Sequence, residues 1–407
     1  MTANAPKVVL GVAGGIAAYK ACHLLRSLRE SGCDVQVVPT ESALQFVGRA
    51  TWEALSGRPV STTVWNDIPS VPHVQIGQGI DLVIVAPATA DLLARAAGGR
   101  ADDLLTSVLL TTRAPVVFAP AMHSEMWEHP ATVANVATLR SRGAIVINPA
   151  SGRLTGSDSG TGRLPEPDSL LSVCRAVLDR GSQPADLTGQ RIVITGGGTR
   201  EALDPVRFLG NRSSGRQAWA LAAAAAARGA QVHVIAANVV AADPAGATIE
   251  RVETAAEMRT AALAAAKVAD VLVMAAAVAD FRPEHPEPKK IKKDDLGGVP
   301  VPIALQRTAD ILAELGHLSD RPLLVGFAAE TVDSQRELEH AARKKLKAKG
   351  ADLVVANQVG EGVGFESASN AVVIVDTDGV VRSVPLTSKE GIANAVWDAV
   401  AARLTQG

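Results

Sequence analysis

Short runs of β-branched and apolar residues alternate along this chain with longer stretches whose apolar positions recur every three to four residues. That alternation predicts strands followed by helices, and hence an α/β protein with parallel sheets. Lys7 to Val12 is the first β-rich run, and the glycines 11, 14 and 15 lead into a helical pattern from Ile16 to about Glu30. Gly32 closes that helix and Asp34 to Pro39 begins a second strand, a βαβ unit with the usual right-handed crossover. Further strands are predicted at Asp81–Ala86 and Pro115–Ala119, and an amphipathic helix at Leu170–Asp179. The pattern then restarts. Ile192 to Thr195 reads as a strand ending in three glycines, a polar loop carries Asp204, Pro205, Arg207 and Asn211, and a helix begins near Ser213. The alanine-rich stretch Arg216–Arg228 is strongly helix-forming, Gly229 is its C-cap, and Gln231–Ala236 and Val271–Ala275 are further strands. Two Rossmann-like, doubly wound domains are expected, residues 1–179 and 190–407, joined by a linker at 180–189.

With 407 residues the chain suits two to three domains, and 47% hydrophobic residues suffice to build them. Aromatic residues are only 3%, so the cores are expected to pack alanine and valine closely between helix and sheet. A net charge of −2 offers no basic field for nucleic acid or an anionic membrane, which leaves small molecules as the expected partners. Cys22, Cys33 and Cys174 are scattered without a C-x-x-C pair, which gives neither a disulfide framework nor a zinc site and suggests a reducing cytoplasm. The N-terminal MTANAPKVVLGVAGG lacks a basic region before a long apolar segment, and no run is long enough to span a bilayer. A cytoplasmic protein that is not exported is expected.

The candidate chemistry lies at strand ends. The strand, glycine turn and helix start around Gly197 and Gly198 form a natural seat for a phosphate, although a bare GGG also fits a tight turn without a ligand. In the first half GVAGGIAAYK is not G-x-G-x-x-G, and Thr40 stands where a dinucleotide fold would place an acidic residue, which suits FMN or another monophosphate better than NAD. Two Ala-Pro-Ala turns, one at Pro87–Asp91 and one after Pro115–Ala119, mark strand ends that could line one crevice. By itself His73 reads as a loop histidine after Pro72. Ser151 to Pro167, rich in glycine and serine, predicts a mobile loop in which Asp158, Arg153 and Arg163 could close over a phosphorylated substrate. The basic run Lys289–Lys293 is by itself a solvated loop, yet after a nucleotide-type strand end its compact charges suit a triphosphate. No Walker G-x-x-x-x-G-K-[ST] is present.

The segment TGGGTREALDPVRFLGNRSSG closely resembles the signature of phosphopantothenate–cysteine ligases, and AAAVADF, KIKK, the -DI- segment at Thr308–Ile311, GFAAET and RKKLKAKGADLVVAN follow in that family's order. The resemblance spans residues 190 to about 400. It implies CTP with Mg²⁺ as the activating nucleotide, though the residues alone do not tell cytosine from adenine. It also implies attack of the phosphopantothenate carboxylate on the α-phosphate, with cysteine then displacing the nucleoside monophosphate from the acyl-nucleotide. Catalytic roles fall to Asn211 and Lys290. Nucleotide contacts fall to Gly197, Gly198, Ala276, Asp280, Lys290, Asp310, Phe327, Lys345 and Lys349, and a substrate contact to Arg207. No metal-ligand cluster is visible, so magnesium is expected to ride on the phosphates.

GGIAAYK, HVQIG, APATADLLARAAGGRADDL and PAMHSEMW resemble the homo-oligomeric flavin-containing cysteine decarboxylases, and most closely the decarboxylase half of bacterial bifunctional phosphopantothenoylcysteine decarboxylase/phosphopantothenate–cysteine ligases. The resemblance covers residues 7–178 and implies a flavodoxin-like fold that decarboxylates 4′-phosphopantothenoylcysteine to 4′-phosphopantetheine with FMN. It places FMN at Gly14, Gly15, Ile16, Thr40, Ala88, Thr89, Ser107 and Met122, makes His73 an acid/base and His123 a polar contact to the substrate, and turns the Ser151–Pro167 loop into a lid with Asp158 on the substrate side. Trimeric flavin halves and dimeric ligase halves imply a homo-oligomer, up to a dodecamer. Two departures stand out: His123 replaces the family's asparagine, and the lid carries no cysteine where the family has one to protonate the enethiol intermediate. Two alternatives remain open on the residues, an NAD(P)-dependent two-domain oxidoreductase and a non-enzymatic flavoprotein subunit whose decarboxylase site has decayed.

Overall fold

Val8, Val9, Leu10 and Val12 are each at most 1% exposed, as expected of a strand covered on both faces. The computed structural model describes residues 5–65, 72–153, 158–292, 302–359 and 369–405. Its contacts divide the chain into two units, one of Met1–Thr188, Ala226–Gly229 and Ala242–Ala247, the other of Gly189–Ala225, Ala230–Ala241 and Thr248–Gly407.

The first unit begins β1 (Lys7–Val12), α1 (Ala18–Glu30), β2 (Asp34–Pro39), α2 (Arg49–Ser56), α3 (Pro72–Gly77), β3 (Leu82–Ala88), α4 (Ala90–Ala97) and α5 (Leu104–Thr111). It continues with β4 (Val116–Pro120), α6 (Ser124–Glu128), α7 (Pro130–Ser141), β5 (Ile145–Val146), β6 (Ala150–Arg153), β7 (Ser159–Arg163) and α8 (Pro167–Arg180). Strands β1 to β5 form one parallel sheet in the order β2-β1-β3-β4-β5. The order reverses between β1 and β3, the crevice in which flavodoxin-like sheets seat their ligand. Local signals set the helix starts: Thr89 accepts from the Leu92 N–H at 3.3 Å, and Asp103 with Thr106 closes a capping box on α5.

The expected mobile loop at Ser151–Pro167 is instead largely an antiparallel hairpin, β6 against β7; residues 154–157 lie outside the described residues. Glycine and serine content signalled a loop, but the flanking backbone finds ladder partners, and Ser151 Oγ lies 3.0 Å from Thr161 Oγ1 across the strands. His73 is on the short helix α3 rather than in a loop.

The second unit begins β8 (Arg191–Gly197), β9 (Arg200–Ala202), β10 (Phe208–Gly210), α9 (Arg216–Ala227), β11 (Gln231–Ala237), β12 (Ala247–Val252), α10 (Ala255–Ala266), β13 (Val271–Met274) and β14 (Phe281–Pro283). There follow β15 (Leu305–Arg307), α11 (Ile311–Gly316), β16 (Leu323–Glu330), α12 (Gln335–Lys349), β17 (Leu353–Gln358), β18 (Ser369–Asp376), β19 (Gly379–Ser388) and α13 (Lys389–Leu404). Its sheet has the order β12-β11-β8-β13-β16-β17-β18-β19, parallel from β11 through β17 and antiparallel at β18 and β19. The order reverses between β8 and β13. The polar loop after β8 is partly a two-stranded ribbon, β9 with β10, and α9 starts at Arg216, a turn's length after Ser213. The alanines of α9 serve close packing: Ala222, Ala224 and Ala225 are fully buried, and the buried Trp397 of α13 donates its indole N–H to Leu221 O at 2.9 Å.

Candidate active sites

In the first unit the carboxyl ends of the strands are tied together by backbone bonds. Ala13 N–H donates to Pro87 O at 3.1 Å, Thr40 N–H to Val12 O at 2.9 Å, and Ala121 N–H to Ala88 O at 3.1 Å. Gly14 sits so close to Ser42 that a Cβ would fall 2.3 Å from its Oγ, so only glycine fits this turn. Gly15, whose Cβ would meet nothing nearer than 3.7 Å, has no such constraint. Ala17 at the N-cap of α1 makes no side-chain cap; of the first-turn N–H groups, that of Ala18 donates to Gly15 O at 2.9 Å and that of Lys20 to Ala17 O at 3.0 Å. Ile16 beside it is 74% exposed.

The hydroxyls expected to meet FMN are committed internally. Thr40 is 4% exposed, and its Oγ1 accepts from Ala43 N–H at 3.2 Å and lies 3.0 Å from Ser42 Oγ. Ser107 Oγ donates to Asp103 O at 2.7 Å, and Thr89 caps α4. Ala88 ends β3, and Met122 follows β4 by two residues. His73 Nδ1 on α3 and Ser124 Oγ, next to His123, are buried with no hydrogen-bond partner among the described residues. Unpaired buried polar atoms are costly, and each of these two marks a place for a ligand or water. His73 is fixed through its carbonyl, which accepts from Thr111 Oγ1 at 2.9 Å. His123 is exposed at the N-cap of α6.

The hairpin is anchored to this edge. Met122 N–H donates to Gly162 O at 2.9 Å, and a Cβ on Gly162 would fall 2.1 Å from Met122 O. Lys20, 8% exposed, donates to Glu166 Oε1 at 3.0 Å and to Leu164 O at 3.3 Å. Arg163 is held by the same Glu166 at 2.5 Å, so it braces the hairpin base, while Asp158 is exposed. Lys20 was missed from the sequence; its signal was a lysine among the apolar positions of α1 inside GGIAAYK. Neither Cys22 nor Cys174 provides a reactive thiol: burial pushes the Cys22 thiol up, and the Cys174 thiol further, with the Cys33 charge adding to it.

In the second unit the GGG turn runs beside the AAAVAD turn at the strand-order reversal. Gly198 bridges Ala277, with Ala277 N–H donating to Gly197 O at 2.8 Å and Thr199 N–H to Ala277 O at 3.3 Å. The glycines have separate steric reasons: a Cβ on Gly196 would fall 2.5 Å from Ala218 Cβ of α9, and one on Gly197, whose φ is +82°, 1.9 Å from Ala237 O. Asn211 is held by its Nδ2 donating to Val278 O at 2.9 Å. Ala276 N–H donates to Thr195 Oγ1 at 3.2 Å. Asn238, a non-glycine at φ +53°, was also missed from the sequence; its Nδ2 donates to Gly198 O at 2.9 Å and Glu253 O at 3.0 Å, bracing the turn.

The predicted nucleotide residues gather at the neighbouring strand ends. Asp310 caps α11 and pairs with Lys349, and Lys345 lies one turn away on α12. Burial opposes the charge on Asp310, but Lys349, the Ala313 N–H and Lys345 outweigh it and hold the carboxyl below its usual range. Burial likewise holds the Lys345 ammonium below the usual lysine range, against Glu330, Asp280 and Asp310. Asp280 is exposed, its carbonyl accepting from Thr308 N–H at 3.0 Å, and Phe327 is half-buried in β16. Arg207 donates to Ile291 O at 3.0 Å and pairs with Asp204 at 3.3 Å. Lys290 is exposed beside Ile291, and Lys293 of the basic run lies outside the described residues.

Residues 2–179 match the family model described as Flavoprotein, and residues 187–404 the DNA/pantothenate metabolism flavoprotein C-terminal domain. Over 402 residues the chain is 54% identical to the coenzyme A biosynthesis bifunctional protein CoaBC of Mycobacterium tuberculosis H37Rv, covering 97% of this chain and 96% of that one. The chain belongs to the CoaBC family. The Bacillus subtilis CoaBC is 43% identical over 403 residues, 98% of this chain and 97% of that one. A crystal structure of the FMN-dependent cysteine decarboxylase SpaF is 31% identical over 43% of this chain and 96% of its own, with a TM-score of 0.37. CoaBC membership makes the chain a bifunctional enzyme of coenzyme A biosynthesis, with a flavoprotein decarboxylase domain and a ligase domain, and sets aside both the NAD(P) oxidoreductase and the non-enzymatic alternatives.

Proposed function

We propose that the second half joins 4′-phosphopantothenate to cysteine at the expense of the magnesium complex of CTP, and that the first half decarboxylates the product to 4′-phosphopantetheine with FMN. One observation carries the ligase reading: the Gly198–Ala277 bridge sets the two signature turns side by side where the strand order reverses, with Asn211 fixed on the second. In the first step a carboxylate oxygen bonds to the α-phosphorus and the α–β anhydride bond breaks, releasing pyrophosphate with the electron pair. Cysteine's amine then forms the C–N bond as the acyl C–O bond breaks, so CMP leaves and the amine proton passes to solvent. Lys290 neutralises charge developing on the departing phosphates, and Asn211, with an N–H and a carbonyl oxygen still to offer, holds the acyl-cytidylate. Gly197, Gly198 and Ala276 bring backbone close to the nucleotide. Asp280, Asp310 and Phe327 contact its nucleoside, and Lys345 and Lys349 its phosphates.

In the first half Gly14, Gly15 and Ile16, with the start of α1, hold the FMN phosphate, and Ala88, Thr89 and Met122 flank the flavin. FMN supplies a two-electron acceptor that gives the electrons back after CO2 loss, with no net redox change. The unpaired Nδ1 of His73 fits a group that moves a proton to or from the cysteinyl moiety. His123 and Asp158 contact the substrate, and the hairpin anchored by Lys20 and Gly162 excludes water. The chain is read as a cytoplasmic homo-oligomer of trimers and dimers, and the exposed apolar side chains Ile16 and Phe46 on one unit and Phe208 and Phe281 on the other are candidates for burial between subunits. The nucleotide assignment is tested by supplying 4′-phosphopantothenate, cysteine and Mg²⁺ with either CTP or ATP. Faster pyrophosphate release with CTP than with ATP is expected; equal or faster release with ATP overturns it.

A further inference from the structure

The turn Leu203–Arg207 grips the lysine segment at both ends of one residue, Ile291. Asp204 is 3% exposed and uses both carboxylate oxygens. Its Oδ1 accepts from the N–H groups of Val206 at 2.7 Å and Arg207 at 2.8 Å, closing the turn on itself. Its Oδ2 reaches beyond the turn, accepting from Ile291 N–H at 3.2 Å and meeting the Arg207 guanidinium at 3.3 Å. The same guanidinium donates to Ile291 O at 3.0 Å. Ile291 is thus held by an anion at its N–H and a cation at its C=O. Four residues earlier Glu287 N–H donates to Leu203 O at 2.9 Å, a second point of alignment.

Burying a carboxylate to this depth is unfavourable unless every lone pair is used, and here the three N–H groups and Arg207 use them. Such a group could serve the turn alone. Oδ2, however, bonds a backbone N–H 87 residues away, next to the lysine that needs a fixed position. A lysine ammonium on a flexible four-carbon stem is placed only as well as its backbone is.

We infer that Asp204 is a positioning residue for ligation, acting through Ile291 to hold Lys290 at the nucleotide phosphates. This rests on the reading of Lys290 as the cation that neutralises the departing phosphates. The discriminating variant is Asp204→Asn. Its carbonyl oxygen can still accept from Val206 and Arg207, whereas its NH2 replaces Oδ2 against a donor and a guanidinium, so the turn is kept and the grip on Ile291 is lost.

Pyrophosphate release is measured on the full chain, in single turnover, for Asp204→Asn, Lys290→Gln and the double variant. Asp204→Asn should lower the rate about 100-fold, the scale expected of a misplaced group. The second unit should stay folded at the assay temperature, CO2 release from supplied 4′-phosphopantothenoylcysteine should not change, and the double variant should be little slower than Lys290→Gln. A wild-type rate for Asp204→Asn, or losses that multiply in the double variant, would overturn the inference while leaving Lys290 in place. A wild-type rate for Lys290→Gln would instead overturn the reading beneath it, and the inference with it. If Asp204→Asn unfolds the second unit at the assay temperature, Arg207→Met, which frees the Ile291 carbonyl and spares the two N–H bonds of the turn, takes its place in the same cycle with the same outcomes.

Discussion

The two strand edges solve ligand binding in opposite ways. At the first, the side-chain hydroxyls of Thr40, Thr89 and Ser107 are bonded within the protein, and what is left is a glycine turn, a helix start without a side-chain cap and the unpaired Ser124 Oγ. At the second, the two turns are bonded to each other and the charged side chains stand in pairs, Asp204 with Arg207 and Asp310 with Lys349. A flavin monophosphate is a large apolar ring with one anionic end, and needs close backbone and few charges. A triphosphate that loses pyrophosphate needs cations held in place while its charge moves. On the proposed reading, one kind of parallel-sheet edge serves two chemistries through what the loops leave unpaired.

The contrast breaks first at its single ionisable groups. His73→Asn should reduce CO2 release roughly 10³-fold, within the usual range for a lost acid/base, and leave ligation unchanged; equal loss of both activities would deny His73 its role. Lys290→Gln should do the reverse, reducing pyrophosphate release about 10²- to 10³-fold with decarboxylation intact. The steric part of the first edge is sharpened by Gly14→Ala. A Cβ 2.3 Å from Ser42 Oγ and 2.9 Å from the Ser42 carbonyl carbon forces the turn apart, at about 1–3 kcal/mol. Purified protein should then carry less flavin, read from its visible absorbance, and full flavin content would show that the turn is not the cofactor seat. Lys20→Met tests the hairpin anchor: decarboxylation should fall about tenfold, the worth of a charged hydrogen bond, without flavin loss.

The smallest effect is in acid. Burial opposes the Asp204 charge, but the N–H groups of Val206, Arg207 and Ile291 and the Arg207 charge hold its carboxyl below the usual range. A depressed carboxyl adds stability that is complete above its unfolded value, near pH 4, and is lost as pH falls through the folded value. Melting curves between pH 6 and 3 should therefore show a shallower acid limb for the second unit in Asp204→Asn than in the wild type.

Much of the fold was legible because strands buried on both faces leave continuous β-branched runs, as at Lys7–Val12 and Asp34–Pro39, where predicted and observed bounds coincide. The hairpin at Ala150–Arg163 was hidden because glycine and serine signal flexibility, while its order comes from Gly162 fitting against Met122, a contact no local pattern reports. The closing pair β18 and β19 was overlooked although Asp378-Gly379 between two β-branched runs is a hairpin signal, with Asp376 Oδ1 accepting from both N–H groups at 2.8 and 3.0 Å. At the sites, motif residues were found by wording, whereas Lys20, Asn238 and Asp204 work through partners far along the chain. Arg207, expected at the substrate, is engaged with Ile291 and Asp204.

The most direct measurement follows product masses after the flavin-loaded chain is given 4′-phosphopantothenate, cysteine and Mg²⁺-CTP with no added reductant. Both edges working in sequence predict 4′-phosphopantetheine as the end product, although no cysteine stands in the hairpin. Accumulation of an oxidised, decarboxylated enethiol, or of 4′-phosphopantothenoylcysteine alone, would contradict a complete decarboxylase in the first half.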